Sequence, residues 1–444
     1  MSEEFDALVW QGTWDLVQMG LQIKERQKCP VIKPTTIHIV FTIAISQASS
    51  IQQLYVNNAF LHGNVEEDLY MAQPTGFIDH NLPHHVCKLK KAIYGLKQAP
   101  QAWYTELKHF FLGCGLVNSR SDCSLFIYNN AGIVVYVLVY VDDILITGNS
   151  ATFISNLIHR LGQKFSLKDL GDLSLFLGIE AIKTSTGLFL SQHRYINDLL
   201  QKHKMDGAKP VATPMSTSRL SLQTSSPRLP NGTAYRQLVG SLQYLSLTRL
   251  DISFAINKLS QYMHCPTEMH WQAIKRILRY LKNTMFHGLL IRPTSTLALH
   301  AFSDSNWAEY RALTAASSEL VWVLHLLTEL GIHVDAPPVL YCDNVGATYL
   351  SSNLVMHSRM KHIAIDLHFI CDLVDKKILR VSHIASADQL ADGLTKPLSS
   401  SRFALLCSKI GIVDGPTILR GRIMETHHAT PPIMAQSTTR DIKS

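Results

Sequence analysis

The chain has 444 residues, 46% of them hydrophobic and 17% charged, with a formal net charge of +7. That length accommodates two or three domains with sizeable cores, and the composition excludes a disordered or fibrous chain. Spread so thinly, the positive charge is compatible with a phosphate-backbone partner but does not by itself imply one.

The start, Met1-Ser2-Glu3-Glu4, is acidic and no apolar core follows, so no signal peptide is expected. Residues 1–50 show no clear period, and the apolar run 37–45 suits either a helix or a strand. From 51 to 205 β-rich and helical stretches alternate. The longest apolar run, 133–141, falls far short of the roughly 20 residues a membrane helix needs, so no membrane partner is expected. Residues 206–233 are rich in Pro, Ser and Thr and read as a linker. A helical block spans 234–296, with Trp271, Ile274, Ile277, Leu278 and Leu281 on one face. Lys275, Arg276, Arg279 and Lys282 lie between them, either as a solvated face or as a nucleic-acid contact. Strand–helix–strand–helix order recurs over 297–398. The tail, 399–444, is expected to be mostly disordered, being polar from about Asp414 and carrying Pro416, Pro431 and Pro432. The eight cysteines form no CxxC pair, which argues against a zinc ribbon and for a reduced intracellular setting, cytoplasmic or nuclear.

Two β-prone runs, 134–139 and 144–146, flank Asp142-Asp143. Tight two-residue turns prefer Asn-Gly or Asp-Gly, whose residues tolerate positive φ. Adjacent aspartates at such a tip repel each other, and a divalent cation is the simplest compensation. An ordinary acidic turn is the alternative.

Order along the chain adds specificity. Four blocks follow one another: residues 54–63 with 66–77; Tyr94-Gly95-Leu96-Lys97-Gln98-Ala99-Pro100 with Trp103-Tyr104; Tyr140-Val141-Asp142-Asp143; and Asp169-Leu170-Gly171 with Phe176-Leu177-Gly178-Ile179. On these blocks the chain resembles, over roughly 3–420, the reverse transcriptase and RNase H region of plant-like copia-type long-terminal-repeat retrotransposon polyproteins. The resemblance implies an α+β palm with an antiparallel sheet and helices, a helical thumb or connection, and a truncated α/β RNase H-like domain. It also implies an RNA template, a DNA primer, an RNA–DNA hybrid and deoxynucleoside triphosphates as partners, with Mg2+ as cofactor. The parent polyprotein would serve DNA integration.

The implied roles fall on particular residues. Asp142 would bind the catalytic metals and Asp143 would assist. Phe60 resembles the aromatic gate against a 2′-hydroxyl, with plain core packing as the alternative. Gly95 and Gln98 belong to the block beside nucleotide and template, and Lys168 is a candidate near the triphosphate. Trp103 and Tyr104 are expected to pack the palm, and His62 to be an ordinary loop histidine. In the last domain Asp304, Glu309, Asp343 and Asp392 resemble a four-carboxylate metal site, with His383 as the late histidine. Taken singly, Asp343 would equally cap the helix after it, and Asp392 would be a solvated helix residue.

Three departures from the family pattern stand out. Tyr55 occupies the position of the first palm aspartate, whose carboxylate would bridge two metal ions about 3.5–4 Å apart. A phenol with a pKa of about 10 is neutral at pH 7 and a poor magnesium ligand. Only residues 18–29 lie where the family has β-rich fingers, too few for several strands of about 5–6 residues. Only four residues separate Asp304 from Glu309, where the family has two further strands, so the first strand is expected to be a sheet edge. The sequence therefore implies an RNA-directed DNA polymerase with an RNase H-like domain whose catalysis is impaired. A nucleic-acid-binding remnant without chemistry, or a poorly folding product of a decayed element, are the alternatives. A metal hydrolase of unrelated fold leaves the ordered blocks unexplained.

Overall fold

The computed structural model describes residues 13–17, 32–74, 76–217, 226–304, 309–351 and 364–416. Its centre is a six-stranded antiparallel sheet in the order Val117–Asn118, Leu125–Asn130, Ile133–Tyr140, Asp143–Gly148, Ile51–Val56, Leu167–Asp172. Strand alternation sends successive side chains to opposite faces. Val135, Val137 and Val139 pack on one face against Trp103, Leu107 and Phe111 of helix Ala99–Gly113 and against Ile154, Leu157 and Leu161 of helix Ala151–Lys164. Tyr136 and Leu138 pack on the other face, in the same cluster as Ile37, Val40, Phe41 and Ala44. The ambiguous apolar run is thus a helix, Pro34–Ser46, with proline at its first turn and its buried residues at helical spacing. A central sheet buried on both faces explains the near-continuous apolar run at 133–141.

Three strands, Trp14–Val17, Val86–Lys91 and Asn64–Met71, form a separate antiparallel sheet. Residues 18–31, where a shortened fingers segment is expected, lie outside the described residues. A five-stranded antiparallel sheet runs in the order Leu175–Phe176, Ile179–Thr184, Gly187–Ser191, His287–Ile291, Ile412–Asp414. It shares a core with helices Thr233–Gln243, Ser253–Ser260 and Glu268–Asn283.

Two expectations are corrected here. The tail is ordered as far as 414: helix Ser400–Lys409 buries Phe403, Leu406 and Cys407, and the strand after it pairs with His287–Ile291. These apolar residues have a face to bury against, which polarity further along hides; residues 417–444 lie outside the described residues. The basic side of helix Glu268–Asn283 is not a free solvated face. The Arg276 guanidinium donates to Thr213 Oγ1 at 3.0 Å, Arg279 to the Lys209 carbonyl at 2.6 Å, and Lys282 to the Ala208 carbonyl at 2.9 Å. Lys275 lies 5.4 Å from the Trp271 ring centre. The first part of the Pro/Ser/Thr-rich linker, which cannot pair with a sheet, is thereby held by side chains.

A fully buried ion pair ties this region together. Arg249 Nη2 lies 2.8 Å from Asp251 Oδ2, which also accepts from the Tyr280 hydroxyl at 2.6 Å. Arg249 donates in addition to the carbonyl and hydroxyl oxygens of Thr284.

The last unit is a three-stranded parallel sheet, ordered His300–Ser303, Val339–Cys342, Arg380–His383, with helices Glu309–Glu329 and Ala364–Asp375. Leu313, Leu340, Ile370 and Leu379 form its core. Among the described residues His300–Ser303 is an edge strand. The far end of helix Glu309–Glu329 reaches the palm: Trp322 Nε1 donates to the Ser121 carbonyl at 3.0 Å, and the Ser121 hydroxyl donates to Glu329 at 2.7 Å. The architecture is an α+β palm with a helical connection and a reduced α/β last domain. Among the described residues no helix is long and apolar enough to cross a membrane.

Candidate functional site

Two carboxylate groups stand out, one in the palm and one in the last domain. In the palm, Asp142 and Asp143 lie at the turn between Ile133–Tyr140 and Asp143–Gly148. Val141, just before them, has φ +53°, a left-handed conformation costly for a β-branched residue. Two long-range bonds hold it there. Trp103 Nε1 donates to the Val141 carbonyl at 2.6 Å, and the Val56 amide donates to the Asp142 carbonyl at 2.9 Å. Trp103 and Tyr104 are buried packing residues, the latter donating to the Cys123 carbonyl at 2.6 Å.

Strand register puts Tyr55 opposite Asp143 on one side and Lys168 on the other. Leu54 and Val56 are fully buried in the core, while Tyr55 projects to the opposite face. The Tyr55 phenol stands beside Asp142: burial, then the Asp142 charge, push its pKa up to about 12, so it stays neutral. Burial and then the neighbouring Asp142 push Asp143 up to about 6, while nearby Gln53 favours the charged form. Gln53 also donates to the Leu175 carbonyl at 2.6 Å. A hard divalent cation prefers anionic oxygens, and here two carboxylates stand beside a neutral phenol.

Phe60 is half-buried in the short turn Ala59–His62, its ring centre 4.7 Å from that of Tyr94. Tyr94 is exposed and feels the Asp142 charge, and Gly95 after it has φ +93°, which glycine adopts freely. Gln98 Nε2 donates to Glu67 at 3.2 Å, and Lys168 is exposed. His62 packs between Trp103 and Phe165, and burial followed by Lys91 lowers its pKa. Tyr94 opens one of the four blocks and Gln53 directly precedes another, yet nothing in their spacing marks them as neighbours of the aspartates.

In the last domain Asp304 and Asp343 follow the ends of adjacent parallel strands, and Asp392 opens the short helix Asp392–Thr395. One carboxylate oxygen from each lies within 4.8 Å of the others. Gln389 Nε2 donates to the Ser303 carbonyl at 3.0 Å, which fastens the Asp392 loop to the first strand. His383 is exposed and is not part of the cluster. The Glu309 side chain lies outside the described residues. Sequence reasoning missed three further members. Lys396 Nζ lies 2.9 Å from both Asp304 Oδ1 and Asp392 Oδ1, Thr395 donates to Asp304 Oδ2, and Arg402 pairs with Asp392 Oδ2. Burial alone would lower the Lys396 pKa, but hydrogen bonds to Asp392 and Asp304 raise it, so the ammonium stays charged.

Comparison with known proteins places the chain in a family. Residues 8–217 match the family described as reverse transcriptase (RNA-dependent DNA polymerase). The chain is 52% identical over 426 residues to the Retrovirus-related Pol polyprotein from transposon RE1 of Arabidopsis thaliana, covering 87% of this chain but 29% of that protein. It is 31% identical over 271 residues to the putative transposon Ty5-1 protein of Saccharomyces cerevisiae, covering 61% of this chain and 88% of that one. Among solved structures, the foamy viral protease-reverse transcriptase in complex with RNA/DNA hybrid aligns with a TM-score of 0.49 at 11% identity, over 90% of this chain and 54% of that one. The chain belongs to the reverse transcriptase family, as a Pol region of the plant copia-type retrotransposon kind.

Proposed function

We propose that this chain is a retrotransposon-derived RNA-directed DNA polymerase module whose polymerase chemistry is reduced by several orders of magnitude or lost. The observation that carries this is a neutral phenol, Tyr55, paired across the sheet with Asp143 and standing beside the Asp142 charge. Template RNA, primer, RNA–DNA hybrid and deoxynucleoside triphosphate are its partners on this reading, within an intracellular setting. Bound Mg2+ would supply charge neutralisation for phosphoryl transfer. Asp142 and Asp143 would hold it in the palm, and Asp304, Asp343 and Asp392, with Glu309, in an RNase H-like site. Three converging carboxylates suit a hard divalent cation in the second site; the palm, with a phenol at the third position, suits one poorly.

The remaining residues orient and exclude. Phe60 against Tyr94 forms an aromatic wall near the aspartates. On this reading it bars a ribose 2′-hydroxyl. Gln98 and Gly95 line the nucleotide and template path, and Lys168 faces the triphosphate. Because the ribonuclease site lacks the two strands expected between Asp304 and Glu309, hybrid cleavage is weak or absent.

Primer extension by the wild-type chain and by Tyr55→Asp tests the reading. Negligible extension by wild type, with a gain on restoring the aspartate, supports it. Extension by wild type at a rate close to that of an intact relative refutes it. No gain in the variant would place the defect in the shortened fingers instead.

A further inference from the structure

All four carboxylate oxygens of Asp304 and Asp392 have donors from this chain. Lys396 bridges Oδ1 of one and Oδ1 of the other, Thr395 reaches Asp304 Oδ2, and Arg402 reaches Asp392 Oδ2. Among the described residues no comparable donor reaches the Asp343 carboxylate. The side chains of Asp304 and Asp392 are 3% and 5% exposed, so solvent does little to screen their charge. Unpaired, carboxylates this close and this buried would repel strongly.

Local sequence explains how the lysine arrives there. Helix Asp392–Thr395 is one turn long, which places Lys396 four residues after Asp392, on the same face. Pro397 follows and disfavours helical backbone at the residue before it. Lys396 accordingly has φ −134° and ψ 148°. The chain leaves the helix there, and the ammonium stays with the cluster. Its side chain is 37% exposed, so it can be displaced without opening the core.

We propose that Lys396 is a resident cation of the Asp304–Asp343–Asp392 cluster. It fills one of the positions a divalent ion would take, so the cluster accepts a single ion, on the Asp343 side. Lys396 is a positioning residue: it sets how many ions enter and how tightly. This rests on the reading of the three aspartates as a metal site.

The experiment is titration of Mn2+ into the full chain, read as free Mn2+ by electron paramagnetic resonance. All proteins carry Asp142→Asn and Asp143→Asn so that the palm does not contribute. The parent should bind one ion. Lys396→Met and Lys396→Gln should each bind a second ion, or bind the first at least about tenfold more tightly, since a unit charge a few ångströms away is removed. Lys396→Gln keeps a polar side chain of similar reach, so it decides the matter if the methionine variant does not fold. Asp343→Asn should abolish binding. If both lysine variants titrate like the parent while Asp343→Asn abolishes binding, the metal site stands and the role of Lys396 is overturned. If no protein binds Mn2+, the metal-site reading fails and the proposal fails with it.

Discussion

Tyr55 pairs across the sheet with Asp143, and its phenol lies within the field of the Asp142 charge. Removing the Asp142 charge in Asp142→Asn should bring the Tyr55 pKa down from about 12. Burial, the larger cause, remains, so it should stay above the ordinary phenol value of about 10. Ultraviolet absorbance titration, with Tyr55→Phe as the difference reference, measures this. An unchanged Tyr55 titration would mean that the Asp142 charge does not act on the phenol.

Asp143 should make stability depend on pH. Its carboxyl holds a proton up to about 6 when folded, against 3.8 ordinarily. The folded state therefore binds more protons between those values. The resulting stabilisation is complete below the unfolded pKa and is lost as pH rises through the folded one. Wild type should lose more stability than Asp143→Asn between about pH 4 and pH 7. Parallel denaturation curves for the two proteins over that range would contradict the assignment.

The bond from Trp103 to the Val141 carbonyl holds a turn in an unfavourable conformation. Trp103→Phe keeps most of the buried ring but orphans that carbonyl, and should cost about 1–3 kcal/mol in denaturant unfolding. Val141→Gly removes the side chain that makes positive φ costly. It should return up to about 1 kcal/mol in the Trp103→Phe background. A larger loss in the double variant would show that the valine side chain packs productively.

The Arg249–Asp251 pair has no access to solvent. Arg249→Met leaves the Asp251 carboxylate buried without its cation and should destabilise the chain by about 3–5 kcal/mol. Arg249→Met with Asp251→Asn should be less damaged than Arg249→Met alone. Chemical denaturation of the three proteins decides it, and a double variant worse than the single one would contradict the argument.

Arg276, Arg279 and Lys282 anchor residues 208–213. Replacing all three with alanine should free that segment and speed limited proteolysis within it by at least about tenfold, an opening free energy lowered by about 1.4 kcal/mol or more. The affinity of the chain for an RNA–DNA hybrid should change little at fixed salt. A steep loss of hybrid affinity with unchanged proteolysis would assign these residues to nucleic acid instead.

What the sequence by itself determined is local or ordered along the chain. The apolar run at 133–141 marks a strand buried on both faces. The blocks from 54 to 179 place the palm, and Asp304, Asp343 and Asp392 are recognisable before their convergence is seen. Periodicity and short motifs carry such information because neighbouring residues share one element and its backbone geometry. Tertiary structure alone decided what each charged group faces. It set Tyr55 beside Asp142, turned the basic side of Glu268–Asn283 toward the linker, paired strand Ile412–Asp414 with His287–Ile291, and drew Lys396 between two aspartates. Charged side chains find partners by proximity in the folded chain, and burial then makes those partners obligatory, since an unpaired charge out of water is costly. Asp304 and Lys396 lie far apart in sequence, so no local pattern records their contact.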